Sequence, residues 1–278
     1  MTRIGFFGLG RMGGPMAGHL VAAGHEVLGF DPSPEARARA GESGVETVDH
    51  WSGHDVTVVL SSLPDGPQVE DVYRDLLPAL PPGALCLDLS TIDVEVSRGL
   101  AVLARDQGHD FLDCPVSGTS VHARAGTLAV MVGGDAGAAK RARPYLEPFS
   151  SSLRHLGPNG AGLEMKLITN RLLNAHVVAI GEAIVEMEAA GLDTAGCIEL
   201  LREGAVPRLL DYKAGPMADR DFTPLFTVGL MAKDLRLAAR RRPAGTVGGS
   251  AAEILFRAEQ AGWGEHDIAA VIGVLTTR

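Results

Sequence analysis

Short stretches with apolar runs, punctuated by Gly, Asp or Pro, recur as strand candidates along the first 157 residues. They fall at 3–8, 26–31, 45–48, 55–63, 84–89, 110–116, 128–133 and 153–156. Several are apolar throughout instead of alternating, as expected of strands buried on both faces of a parallel sheet. Between most of them the apolar positions follow the helical period, as at 12–23 and 93–105. Strand and helix in alternation predict a doubly wound α/β domain.

The pattern changes after Gly162. No proline occurs from residue 161 to residue 190, and apolar residues recur at helical spacing. A helix of about thirty residues would be roughly 45 Å long, enough to span more than one domain. Further helical patterns at 194–203, 225–241, 251–261 and 268–275 are separated by Gly- and Pro-containing breaks. The second domain is therefore expected to be all-α. The expected division is 1–161 and 162–278, with the long helix at about 162–190. No internal repeat or low-complexity tract is present.

Composition narrows the class. A chain of 278 residues suits about two domains. With 46% hydrophobic and 21% charged residues it is neither disordered nor collagenous. The 35 glycines and few aromatics favour tight turns and aliphatic layers over an aromatic-rich sandwich. A net charge of −9 argues against nucleic acid or acidic membranes as partners. The one basic cluster, Arg240-Arg241-Arg242, reads as a solvated helix end. Cys86, Cys114 and Cys197 show no CxxC or Cys/His metal spacing, so a reducing compartment, no structural disulfide and no metal are expected. There is no run of eighteen apolar residues, and a strand-like run begins within three residues of the N-terminus. A cytoplasmic protein without membrane span or signal peptide is the expectation.

The first apolar run closes on Gly8, Leu9, Gly10, Arg11, Met12 and Gly13, spaced GxGxxG and leading into a helical pattern. Glycines there permit a tight turn and let backbone N–H groups approach a pyrophosphate at the positive end of the helix. Alone, that spacing is weak evidence. It gains weight because the next run ends in Asp31, about twenty residues on, placed to accept hydrogen bonds from ribose hydroxyls and to repel a 2′-phosphate. No arginine occurs among Pro32, Ser33, Pro34 and Glu35, so NAD is expected over NADP. The alternative is that Asp31 only caps the turn before Pro32.

Other candidates stand at strand ends, where open α/β sheets bind ligands. Ser62-Leu63-Pro64 and Ser90-Thr91 lie there, although either is equally an ordinary turn. In Asp113-Cys114-Pro115-Val116-Ser117-Gly118 the Ser-Gly turn offers a hydroxyl and backbone N–H groups to a carboxylate, or is simply structural. The glycine-rich stretch 157–162 leads into Lys166 and Asn170, which share a helix face at spacing four. An exposed lysine is the ordinary reading. Against it, Lys166 stands among Met165, Leu167 and Ile168.

These pieces, in order, resemble the β-hydroxyacid dehydrogenases, the family of 3-hydroxyisobutyrate dehydrogenase and tartronate semialdehyde reductase, related to 6-phosphogluconate dehydrogenase. The motifs are the 8–13 turn with Pro15, Met16 and Ala17, the 113–118 segment with its continuation over 126–134, the 160–170 segment, and Lys233-Asp234-Leu235. The likeness runs over essentially the whole chain. It implies a Rossmann-type α/β N-terminal domain that binds the dinucleotide, joined by a long helix to an all-α C-terminal domain serving substrate and oligomer. A homodimer or higher even oligomer, such as a homotetramer, follows.

By that resemblance Lys166 is the catalytic lysine, with Asn170 orienting substrate. Ser117 and Gly118 form the substrate-carboxylate loop, to which Thr119 adds its backbone N–H. Thr91 and Lys233 lie near the nicotinamide end of the cofactor, and Leu63, Pro64 and Gln68 along it. Phe226 and Asp234 close the pocket from the helical domain. The implied reaction moves a hydride between NAD and a small 3-hydroxy acid or its semialdehyde. To serve as base near pH 7, Lys166 would need its pKa brought below the ordinary lysine value of about 10.4.

Departures from the family pattern bear on the substrate. Thr119-Ser120-Val121-His122 replaces small residues, Thr169 stands for a second Asn, and Arg208 adds a cation. Arg208 reads either as a solvated helix residue or as a partner for a second anionic group, and His122 as a loop residue before an acid–base group. The rival readings are a reductase of glyoxylate-type, succinic semialdehyde-type or doubly anionic (phosphono or sulfo) aldehyde acids, and a non-catalytic NAD-binding scaffold.

Overall fold

The computed structural model describes residues 2–51, 55–203, 207–240 and 247–275, and of residues 207–212 the backbone alone. Each apolar run of the first half contains a strand: β1 (Arg3–Phe7), β2 (Glu26–Phe30), β3 (Glu46–Val48), β4 (Val58–Ser61), β5 (Leu85–Asp88), β6 (Asp110–Asp113), β7 (Val116–Ser117), β8 (Leu128–Gly133) and β9 (Ser150–Gly157). They form one sheet in the order β3-β2-β1-β4-β5-β6-β8-β7, with β9 paired to β8. From β3 to β6 the pairing is parallel, and Ile4 of β1 sits between Val27 and Val58.

The sheet is not parallel throughout. The apolar run 110–116 is two strands, because Pro115 has no N–H to give a ladder and stands in the gap between β6 and β7. Beyond it β7 pairs antiparallel with β8, Val116 opposite Val130, and β6 meets β8 antiparallel as well.

Helices fill the connections: α1 (Gly13–Ala22), α2 (Pro34–Gly41), α3 (Gly66–Leu76), α4 (Val94–Asp106), α5 (Ser120–Ala125) and α6 (Ala136–Leu146). Their starts are set by local chemistry. Ser33, Asp93 and Asp135 each accept a backbone N–H of the first turn of α2, α4 and α6, which satisfies amides a helix leaves unpaired. One core lies here, where Phe6, Leu60 and Leu87 of the sheet pack with Met16 and Leu20 of α1 and Leu146 of α6.

The chain divides into two compact units, Met1–Lys166 and Leu167–Arg278. One helix, α7 (Ala161–Ala189), runs through the division. After it come α8 (Thr194–Arg202), α9 (Pro207–Asp219), α10 (Val228–Ala239), α11 (Val247–Ala258) and α12 (Ile272–Leu275), with a π turn at Glu259–Trp263 and a 3-10 turn at Ile268–Val271. Their core joins Val177 and Ile184 of α7 to Met231 and Leu235 of α10 and Leu255 of α11.

The sequence pattern misses α9. Its prolines read as breaks, yet Pro207 is the first of its described positions and Pro216 is carried inside it. Arg240 ends α10, while Arg241 and Arg242 lie outside the described residues. The three cysteines are free thiols. Among the described residues no helix is long and apolar enough to cross a membrane, and no cluster of side chains could hold a metal ion.

Candidate active site

The glycine turn lies between β1 and α1. Gly8 has φ +88°, and a side chain there would overlap the Ser62 carbonyl oxygen; one on Gly13 would overlap the carbonyl oxygen of Gly8. Glycine at both ends lets α1 start directly on the turn. Gly10 differs, with nothing within 4 Å of where a Cβ would stand. Leu9 buries its side chain, Arg11 is exposed and Met12 half-buried. The first turn of α1 has neither a side-chain cap nor an acidic residue, so the positive helix end suits an anion. A dinucleotide pyrophosphate fits the open space at Gly10.

Asp31 is half-buried and already has two partners. Its Oδ2 accepts the Leu9 N–H at 2.7 Å and its Oδ1 the Ser33 N–H at 2.8 Å. The carboxylate thus both caps its own turn and braces the glycine turn. Arg37 donates from Nη1 to the Asp31 carbonyl oxygen at 2.6 Å. This cation stands six positions past Asp31, beyond the four residues in which the sequence reading looks for one.

A second layer lies at the ends of β4 and β5. Leu63 donates its N–H to Ser90 Oγ at 2.9 Å. Ser90 donates its own N–H to Asp88 Oδ1 at 3.1 Å, and Ser61 donates its hydroxyl to the same oxygen at 2.8 Å. The Asp88 carboxyl is raised to about 6, the net of burial and nearby Asp113 pushing it up against the bonds from Ser90 and Ser61. Thr91 follows half-buried, whereas Pro64 and Gln68 are exposed, Gln68 on α3.

Ser117 and Gly118 close the β7 end, half-buried and exposed respectively. Thr119 caps α5, its Oγ1 accepting the Val121 N–H at 3.3 Å. The resemblance offers the Thr119 amide to a substrate carboxylate, but the structure gives it to His122 Nδ1 at 3.2 Å. A side chain three positions on satisfies that donor, so His122 is a helix-capping residue here.

Helix α7 begins on Asp113, the last residue of β6. Gly160 N–H donates to its Oδ1 at 2.7 Å and Leu163 N–H to its Oδ2 at 3.0 Å. Burial raises this carboxyl's pKa, and the amides of Gly160, Leu163 and Gly162 work against that rise. Lys166 follows within the next turn and is 9% exposed, far from the ordinary exposed lysine.

In the helical unit, Asn170 and Asp234 are buried, and Asn170 Nδ2 donates to Asp234 Oδ2. Lys233 Nζ lies 3.0 Å from the other Asp234 oxygen. Asp234 is therefore engaged with Asn170 and Lys233. Phe226 is half-buried and donates its N–H to Asp267 Oδ2 at 3.1 Å. Asp267 is itself buried and ion-paired with Lys213 at 2.5 Å. Arg208 falls in α9, and its side chain lies outside the described residues.

The structure thus gathers the glycine turn, Asp31 and Leu63 in one unit, and Asn170, Lys233 and Asp234 in the other. The sequence reading misses Arg37, Asp88 and Asp267, and assigns no part to the carboxylate of Asp113. A signal existed for two of them. Leu85-Cys86-Leu87-Asp88 and Phe111-Leu112-Asp113 each end an apolar run in an acid, and a charge buried at such a place has to be partnered.

Comparison with known proteins agrees with this geometry. Residues 3–157 match the model of the NAD binding domain of 6-phosphogluconate dehydrogenase. Residues 160–275 match that of the NAD-binding domain of NADP-dependent 3-hydroxyisobutyrate dehydrogenase. A probable 3-hydroxyisobutyrate dehydrogenase of Mycobacterium tuberculosis is 39% identical, over 100% of this chain and 99% of that protein. The NAD-dependent L-serine dehydrogenase of Pseudomonas aeruginosa is 38% identical, over 98% and 97%. Among solved structures, M. tuberculosis 3-hydroxyisobutyrate dehydrogenase with L-serine superposes with a TM-score of 0.89 at 38% identity, covering 100% of both chains.

Proposed function

The chain belongs to the β-hydroxyacid dehydrogenase family, and from that premise we propose that it oxidises a small 3-hydroxy acid, or reduces its semialdehyde, with a nicotinamide dinucleotide. When bound, the dinucleotide supplies the hydride acceptor or donor; position, charge and a proton carrier are left to the protein. The observation that carries the reading is the uncapped start of α1 behind an open Gly10, on a chain whose later motifs hold a buried lysine.

Lys166 Nζ takes the substrate hydroxyl proton as the C–H bond gives up its electron pair, and returns it to the carbonyl oxygen in reduction. Asn170, with one Nδ2 hydrogen tied to Asp234, keeps the other to donate to the substrate hydroxyl oxygen and so orient it. The Ser117 hydroxyl and Gly118 N–H hold the carboxylate. The α/β unit binds the dinucleotide, with NAD preferred because the Asp31 carboxylate opposes a 2′-phosphate. The helical unit serves substrate and assembly. Exposed Met165, Ile168 and Leu172, at spacings of three and four on α7, support a homodimer or higher even oligomer, which a monomer in light scattering would exclude.

The test is NADH formation, followed by absorbance, across 3-hydroxyisobutyrate, serine, glycerate, 4-hydroxybutyrate and phosphono or sulfo analogues, with NAD and NADP. Turnover is expected with NAD on at least one of them. Lys166→Ala should lower kcat by about 10³-fold, within the range for a lost acid–base group, with the cofactor dissociation constant within about twofold. Parent and variant equally inactive throughout would point to a dinucleotide-binding scaffold.

A further inference from the structure

Asp88 and Asp113 are register partners at the ends of neighbouring strands β5 and β6, and both are buried. Their hydrogen bonds lead in different directions. Those of Asp88 lead to the cofactor side: Oδ1 holds Ser90, whose hydroxyl holds the Leu63 amide. The residue before Leu63 is pinned to β1, Ser62 N–H donating to the Phe7 carbonyl at 2.8 Å. Its carbonyl oxygen is the atom against which Gly8 must stay bare. Asp88 therefore fixes a loop that abuts the glycine turn.

Those of Asp113 lead to the lysine. Its two oxygens hold the amides of Gly160 and Leu163, the start of α7, three residues before Lys166. A carboxylate at a helix N-terminus also lies in the favourable sense of the helix dipole. Gly162 leaves the room for it, since a side chain there would overlap the carbonyl oxygen of Met131 and crowd Asp113. Four positions after Asp113 the same chain end reaches Ser117. One carboxylate thus joins the root of the proposed substrate loop to the helix that carries the proposed base.

We propose that Asp88 and Asp113 are positioning residues with divided duties, Asp88 setting the loop along the dinucleotide and Asp113 setting the helix that presents Lys166. The inference rests on the reaction proposed above.

The two sites differ in a way that substitution can read. Asp88 accepts both of its bonds, from Ser61 and Ser90, on Oδ1, and its Oδ2 has no hydrogen-bond partner among the described residues. An asparagine with its oxygen at Oδ1 reproduces them. Asp113 uses both oxygens, so an asparagine there must turn an NH2 group toward a backbone N–H. Cofactor affinity is measured by NADH fluorescence titration, and kcat is referred to the sites so counted. Asp88→Ala is expected to raise the NADH dissociation constant about tenfold, the scale of one lost buried hydrogen bond, and Asp88→Asn to bring it back within about threefold of the parent. Asp113→Asn is expected to lower kcat about thirtyfold while the dissociation constant stays within about twofold.

Purely structural roles would move kcat, affinity and melting temperature together in both variants, and that result overturns the proposal. So does equal binding by Asp88→Ala and Asp88→Asn, or an unchanged kcat in Asp113→Asn. If Asp113→Asn yields no cofactor-competent protein, Asn159→Ala takes its place. Its Nδ2 ties the segment before α7 to the Phe111 carbonyl at 2.7 Å, and a smaller loss of kcat at constant affinity is expected; none overturns the Asp113 assignment. Should the unaltered protein bind NADH but oxidise no 3-hydroxy acid, the reaction and the Asp113 assignment fail together. The Asp88 assignment is then still decided by affinity alone.

Discussion

The Asp31 carboxylate braces the glycine turn through Leu9 and its own turn through Ser33, while Arg37 lies against its backbone oxygen. On the NAD preference proposed above, selectivity and turn geometry are joined in one side chain. Asp31→Asn keeps an acceptor for Leu9 at the cost of the Ser33 bond, removes the charge proposed to oppose a 2′-phosphate, and leaves Arg37 in place. The ratio of kcat/KM for NAD over NADP is expected to fall about tenfold or more, near 1.4 kcal/mol of discrimination, and Arg37→Ala in the same background should restore part of it. An unchanged ratio in Asp31→Asn would mean that selectivity is set elsewhere. The place of Asp31 is legible in the sequence from its spacing to the glycines. Its bond to Leu9 is not, because spacing gives no direction for a side chain. The same holds for Thr119, whose amide goes to His122: the Thr/His pair at spacing three is visible, but which donor it satisfies depends on the path into α5.

At the scale of the element, glycines that look alike in sequence part company. Gly13 admits α1 onto the carbonyl of Gly8, so Gly13→Ala should cost about 3 kcal/mol by overpacking and abolish NADH binding. Gly10 has open space beside it. Gly10→Ala should melt within a few degrees of the parent yet weaken NADH at least tenfold (~1.4 kcal/mol), and normal affinity would argue that the pyrophosphate lies elsewhere. Gly99 is exposed inside α4 with nothing near it, and Gly99→Ala should stabilise by about 1 kcal/mol through helix propensity alone, as urea unfolding would read. Strands such as β4 and β5 were legible because burial on both faces leaves nearly unbroken apolar runs. The turn of β7 into antiparallel pairing was not, since Pro115 marks only an interruption and the partner strand lies beyond α5. For α9 the breaker rule misleads, because the helix carries Pro216 in its interior.

For the whole molecule, burial of Asp88 makes stability depend on pH. Its folded pKa of about 6 lies above the ordinary 3.8. Between those values the unfolded chain has released a proton that the folded protein keeps, so stability falls as pH rises through this window. The shift of roughly two units corresponds to about 3 kcal/mol. Asp88→Asn does not titrate, and its unfolding free energy relative to the parent should therefore rise by about that amount between pH 4 and pH 7; a flat difference in urea melts would contradict the assignment. The seating of α7 on Asp113 has a consequence for synthesis. That acid waits 47 and 50 positions for its two amide partners. A chain leaves the ribosome N-terminus first, so β1 can join β2 and β4 long before residues 160–163 emerge. Translation paused in that interval leaves a nascent sheet holding an acid without those amides, a state that apolar surroundings penalise.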